Sequence, residues 1–130
     1  MLINKISGFL VTLLINTFPF YRGSHVKKSF EYIGELMDKG WHILLFPEGQ
    51  YTKTGEMNQF QSGIGLLTQA MQAQVVPIRI DGLFEITGYR KWIPKKTGQV
   101  TITFGKPIKY EKNTDPEKVA IMLQDAVKRL

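Results

Sequence analysis

Four side chains in this sequence could hold or activate a polar substrate: the carboxylate of Glu48, the guanidinium of Arg22, and the imidazoles of His25 and His42. Glu48 stands in Phe46-Pro47-Glu48-Gly49, directly after the apolar run Ile43 to Phe46. Such a run, stopped by proline and followed by a glycine turn, predicts a strand buried on both faces. A carboxylate just past the carboxyl end of a central strand sits where open α/β sheets bind their ligands. Arg22 precedes a helix, and its guanidinium can grip a phosphate through two parallel hydrogen bonds. His25 reads as a surface residue beside a helix cap. His42 begins the strand, at the wrong end for work beside Glu48. Thr52 adds a turn hydroxyl, and Gly49 gives the turn its freedom.

The elements that must position these groups follow from periodicity. Ile3 to Ile15 reads as a helix. After the turn Arg22-Gly23-Ser24, with Ser24 as a cap, Val26, Phe30, Ile33 and Met37 recur at helical spacing, and Gly40 closes that helix. The strand of Ile43 to Phe46 comes next. Gln50 to Ser62 has no period and reads as a loop with one anchor, Phe60; a loop of that length in a compact domain is more often functional than idle. A helix over 63–72 places Ile64, Leu67 and Met71 on one side. Val75 to Ile80 predicts a second buried strand, with Pro77 forcing an edge position or a bulge. Strand, helix and strand in that order imply a βαβ unit and parallel pairing. Residues 81–99 read as irregular, Val100 to Phe104 as a third strand, and Thr114-Asp115-Pro116-Glu117 as the start of a last helix carrying Val119, Leu123, Ala126 and Leu130.

Composition narrows the chemistry. The chain of 130 residues is 43% hydrophobic, which suits one packed domain rather than disorder. It has no cysteine, which removes disulfides, thiolate metal sites and cysteine nucleophiles, and its two histidines argue against a histidine-rich metal centre. A net charge of +6 points to anionic partners. Tyr89-Arg90-Lys91-Trp92 with Lys95-Lys96 forms the most basic patch, suited to an anionic membrane surface. No RNA or DNA motif accompanies the charge, so nucleic acid is not the expected partner. The apolar stretch within residues 1–21 is too short to cross a bilayer, which needs about 20 apolar residues, and reads either as a core helix or as a membrane-surface segment.

Taken together, these residues resemble the phospholipid/glycerol acyltransferase family, the lysophosphatidic-acid-acyltransferase-like enzymes. Phe46-Pro47-Glu48-Gly49 matches the family's FPEG block, with Thr52, Gly55, Phe60 and Gly63 at the spacing of its tail. Val76-Pro77-Ile78 matches a VPI block, Phe20-Tyr21-Arg22 a block that ends in an acceptor-binding arginine, and Gly105-Lys106-Pro107-Ile108 the closing strand. The resemblance implies an α/β fold with a mostly parallel sheet flanked by helices. It also implies a membrane-associated enzyme of phospholipid biosynthesis or remodelling at the cytoplasmic face. Such an enzyme moves an acyl group from acyl-CoA or acyl carrier protein, as co-substrate, to a lysophospholipid or glycerol-phosphate acceptor. Acceptor binding would fall to Arg22, Glu48, Gly49 and Thr52, with no metal and no bound cofactor.

Two departures matter. The family's chemistry rests on a His-x4-Asp pair in which the histidine is the general base. Here His25 is followed at that spacing by Phe30, and His42 by Pro47. Where the family commonly continues FPEG with Thr-Arg, this chain has Gln50-Tyr51. The expectation is therefore the carboxyl-terminal part of an acyltransferase, truncated at its amino end, holding acceptor residues without the base. The alternative is a non-catalytic lipid- or partner-binding module on the same fold.

Overall fold

The computed structural model of the chain describes residues 17, 18, 20, 23, 26–89 and 97–130. The expected helix over Ile3 to Ile15, the cap at Ser24, Arg22, His25 and all of the basic patch after Tyr89 lie outside the described residues. In chain order the described elements are α1 (Val26–Asp38), α2 (Gly63–Met71), β1 (Ile78–Asp81), α3 (Leu83–Thr87), β2 (Thr101–Phe104) and α4 (Pro116–Lys128). They fall into two compact units, residues 1–43 and residues 44–130.

In the first unit, α1 forms where the four-three-four spacing predicts it. Ile33 and Ser29 are buried, and Val26, Phe30 and Met37 are half-buried beside them. Lys27 and Glu31 pair one turn apart on the exposed side, at 3.7 Å, where solvent screens the attraction. The helix ends in a Schellman motif: Gly40, at φ 83°, donates to the Met37 carbonyl at 2.9 Å, and Trp41 donates to Leu36 at 3.0 Å. The aromatic residues ahead of it fold back on its surface, Phe18 edge-on to Tyr32 at 5.3 Å and Phe20 tilted against Phe30 at 6.3 Å.

The second unit is built on α2 against α4. Phe60, Val119, Ala120 and Leu123 are its buried centre, with Ile64, Val75, Ile108, Tyr110 and Val127 packed around it. Asp115 caps α4 by accepting from Glu117 N at 2.8 Å and Lys118 N at 3.4 Å, and Pro116 occupies the first turn as its sequence predicts. Gly65 faces the backbone of Pro116, which brings the two helices close. The Gln69 side-chain amide donates to the Thr114 carbonyl at the same junction. Tyr110 O–H reaches the Ala73 carbonyl at 2.9 Å, tying the segment after β2 to the end of α2.

Burial pushes the Tyr110 phenol up from its ordinary 10.0, and a hydrogen bond with Thr68 opposes the shift in part. The folded state therefore favours the protonated phenol. Its contribution is complete below the unfolded value of 10.0 and is lost as pH rises through the higher folded value. Tyr110→Phe is expected to lower stability by about 1 kcal/mol at neutral pH and to flatten the alkaline decline that begins near pH 10. Urea unfolding of both proteins at neutral and alkaline pH checks both parts.

Two expectations need correction. The sheet is not parallel: β1 pairs with β2 antiparallel, in the register Ile78↔Phe104, Arg79↔Thr103, Ile80↔Ile102 and Asp81↔Thr101, and an isolated antiparallel bridge joins Val75 to Ile108. Nor is Ile43 to Phe46 a strand buried on both faces. Among the described residues it pairs with no strand, and Leu44 and Phe46 are 67% and 69% exposed, while Ile43 and Leu45 are half-buried. The reason is common to both. An apolar run announces a wish for burial, but its ladder partner is chosen by distant chain, and Val75 to Ile80 here finds its partner downstream. Val75 to Ile80 is accordingly only partly covered, with Val76 and Ile80 exposed, and β1 begins after Pro77, whose carbonyl accepts from Gly105 N at 2.8 Å. The irregular stretch 81–99 also holds one short helix, α3, whose five residues are too few to show a period.

Candidate functional site

Phe46 to Gly49 forms a tight turn. Pro47 and Glu48 occupy its centre, and the Gly49 N–H donates to the Phe46 carbonyl at 3.1 Å. Pro47 presets the backbone angle of the second position, and Gly49 supplies the left-handed fourth, at φ 69°. The sequence reading of a proline–glycine turn holds, although the strand expected before it does not.

Within this turn the Glu48 side chain is half-buried. Its Oε2 accepts two hydrogen bonds from a single residue, the Asn58 backbone N–H at 2.7 Å and the Asn58 Nδ2 amide at 2.9 Å. Among the described residues no group donates to Oε1. A carboxylate has acceptor capacity on both oxygens, so half of Glu48 is bound into the protein and half stays available to a donor from outside.

The loop that carries Asn58 is pinned on both sides of it. Gln61 N donates to the Pro47 carbonyl at 3.0 Å, which closes the base of the loop on the turn. Phe60 N donates to Gln124 Oε1 of α4 at 2.9 Å, while the Phe60 ring fills the core. Thr52 Oγ1 accepts from Gly55 N at 3.0 Å and Thr54 Oγ1 from Glu56 N at 3.3 Å, so both hydroxyls shape the far end of the loop. The long aperiodic stretch thus has defined hydrogen bonds, the usual requirement for a loop of this size.

Of the expected site residues, Glu48 and Gly49 share the turn and Thr52 serves a separate turn in the same loop. Arg22 lies outside the described residues. Two hollows of the described surface lie away from Glu48. The larger, about 590 Å³, is an open groove bordered by Thr54, Phe84, Ile86 and Gln99, and the smaller, about 210 Å³, lies beside Tyr110 and Lys109. A ligand at Glu48 would approach an open turn. Tyr51, which stands where the family commonly has arginine, is 65% exposed. Sequence reasoning missed Asn58 and Gln124, because neither stands in a motif or at a period; the signal would have been the need of a polar loop for partners. Among the described residues no three acidic or histidine side chains are grouped to hold a metal ion.

Comparison with known proteins finds a family and a relative. A family model described as Acyltransferase matches residues 1–81, which takes in Phe46-Pro47-Glu48-Gly49 and Val76-Pro77-Ile78. A 1-acyl-sn-glycerol-3-phosphate acyltransferase of Chlamydomonas reinhardtii is 27% identical over 123 residues, covering 87% of this chain and 36% of that protein. The chain thus spans about a third of the length of the curated relative it matches. No solved structure matches it.

Proposed function

The chain belongs to the Acyltransferase family, and from that premise we propose that it is the acceptor-holding part of an acyltransferase of phospholipid synthesis or remodelling. The acyl donor in this reading is acyl-CoA or acyl carrier protein. The acceptor is a lysophospholipid or a glycerol phosphate, in keeping with the name of the algal relative. The observation that carries the reading is Glu48, fixed through one carboxylate oxygen at a rigid turn, with no described donor on the other.

Glu48 holds the acceptor and does not activate it. With no His-x4-Asp pair in the sequence, the general base is supplied from outside these 130 residues. Arg22 takes the acceptor phosphate in this reading, supported by the family block in which it stands. The net charge of +6 and the basic stretch after Tyr89 support work at an anionic membrane surface on the cytoplasmic side. No helix among the described residues is long and apolar enough to cross a membrane.

The test is a pair of measurements on the isolated chain. Glycerol 3-phosphate is expected to bind weakly, and Glu48→Gln to weaken it roughly ten-fold, the scale of one charge-assisted hydrogen bond. Mixed with acyl-CoA and a lysophosphatidate, the chain is expected to release free thiol no faster than buffer does. Turnover by the isolated chain that Glu48→Gln abolishes would sink the division of labour.

A further inference from the structure

We infer that Asn58 is a positioning residue for Glu48, holding the carboxylate by Oε2 so that Oε1 is presented to a hydroxyl or amine of the bound acceptor. The inference rests on the acceptor-site reading and adds to it a residue and a direction. Two donors of Asn58 fall on one oxygen, at 2.7 and 2.9 Å. Two donors on the same atom fix where the carboxylate group lies and how it is turned, while leaving the lone pairs of its other oxygen for a ligand. An ionised carboxylate only accepts, so the ligand group at Oε1 is an O–H or N–H. A phosphate oxygen would meet like charge there and is turned elsewhere.

Asn58 is itself placed from a distance. Two residues further on, Phe60 is locked by its ring in the core and by its N–H on Gln124 of α4. The loop base closes through Gln61 on Pro47. The orientation of Glu48 is therefore set in part by a helix that begins at Pro116, well beyond the residues 1–81 that match the family model. A staple serving the loop alone would make the same hydrogen bonds, but its loss would change melting and leave ligand affinity in the folded protein untouched.

The experiment titrates glycerol 3-phosphate into the 130-residue chain and into Asn58→Ala, Glu48→Gln and the double variant, followed by NMR, with thermal melts alongside. Asn58→Ala is expected to weaken binding roughly ten-fold, as one charge-assisted hydrogen bond would. The double variant should bind no more weakly than the weaker single one, because both changes act through the same presented oxygen, one by displacing it and one by replacing the carboxylate. Should Asn58→Ala fail to fold, Asn58→Asp keeps the shape, sets a second carboxylate against Glu48, and is expected to lose affinity as well. Wild-type affinity in whichever Asn58 variant folds, or losses that add in the double variant, overturns the role of Asn58 and leaves the acceptor site standing. Absence of binding by the wild-type chain overturns the acceptor site and this role together.

Discussion

Leu123→Ala is expected to destabilise the second unit by about 3 kcal/mol and to lower its melting temperature by roughly 12–24 °C. Leu123 is 3% exposed and sits between Val119, at 0%, and Phe60 in the one buried cluster of this unit. Truncation removes its buried methyls and leaves a cavity that the rigid junction of α2 and α4 cannot collapse around. Met122, its neighbour in sequence, is 44% exposed on α4. Met122→Ala is expected to stay within about 0.5 kcal/mol of the wild type. Chemical denaturation of the two variants side by side separates burial from helix propensity, since both changes put alanine in the same helix. Equal effects would mean that the Phe60–Leu123 cluster is not the centre of this unit. The consequence reaches the site, because Phe60 is also the anchor of the loop that presents Asn58.

Gly65→Ala is expected to destabilise by about 2 kcal/mol, against the sign that helix propensity predicts. Inside a helix alanine is better than glycine by about 1 kcal/mol. At Gly65, however, an added methyl would run into the backbone of Pro116, which cannot swing aside as a flexible side chain would. The two helices would have to part, and overpacking of that kind costs about 1–3 kcal/mol or more. At Gly63, two residues earlier in α2, an added methyl would meet nothing within 4 Å. Gly63→Ala is expected to be neutral or mildly stabilising. Thermal melts of the pair give the answer directly, and a stabilised Gly65→Ala would show that α2 and α4 lie further apart than this contact requires.

The sequence by itself determined α1, α2, α4 and the turn. Helical hydrogen bonds are local, so Ile33 at the centre of its four-three-four spacing, Gly40 at the end of α1 and Asp115-Pro116 at the start of α4 each name their element from nearby residues alone. The same holds for Phe46-Pro47-Glu48-Gly49, where proline and glycine dictate the backbone whatever surrounds them. Family membership was equally legible, because it rests on short blocks at fixed spacing.

What only the tertiary structure decided was everything that pairs across distance. Ile43 to Phe46 and Val75 to Ile80 both read as buried strands, yet only the latter stretch supplies residues to a described strand, and it pairs antiparallel with β2 rather than in the expected βαβ arrangement. Strand pairing depends on which remote edge is free, and no local pattern carries that information. The partner of Glu48 is of the same kind. Asn58 lies ten residues on, across an aperiodic loop, and its own place is fixed from Gln124. The residue type and the turn at Glu48 were written in the sequence; which of its oxygens is held, and by what, came from the packing of a helix near the end of the chain.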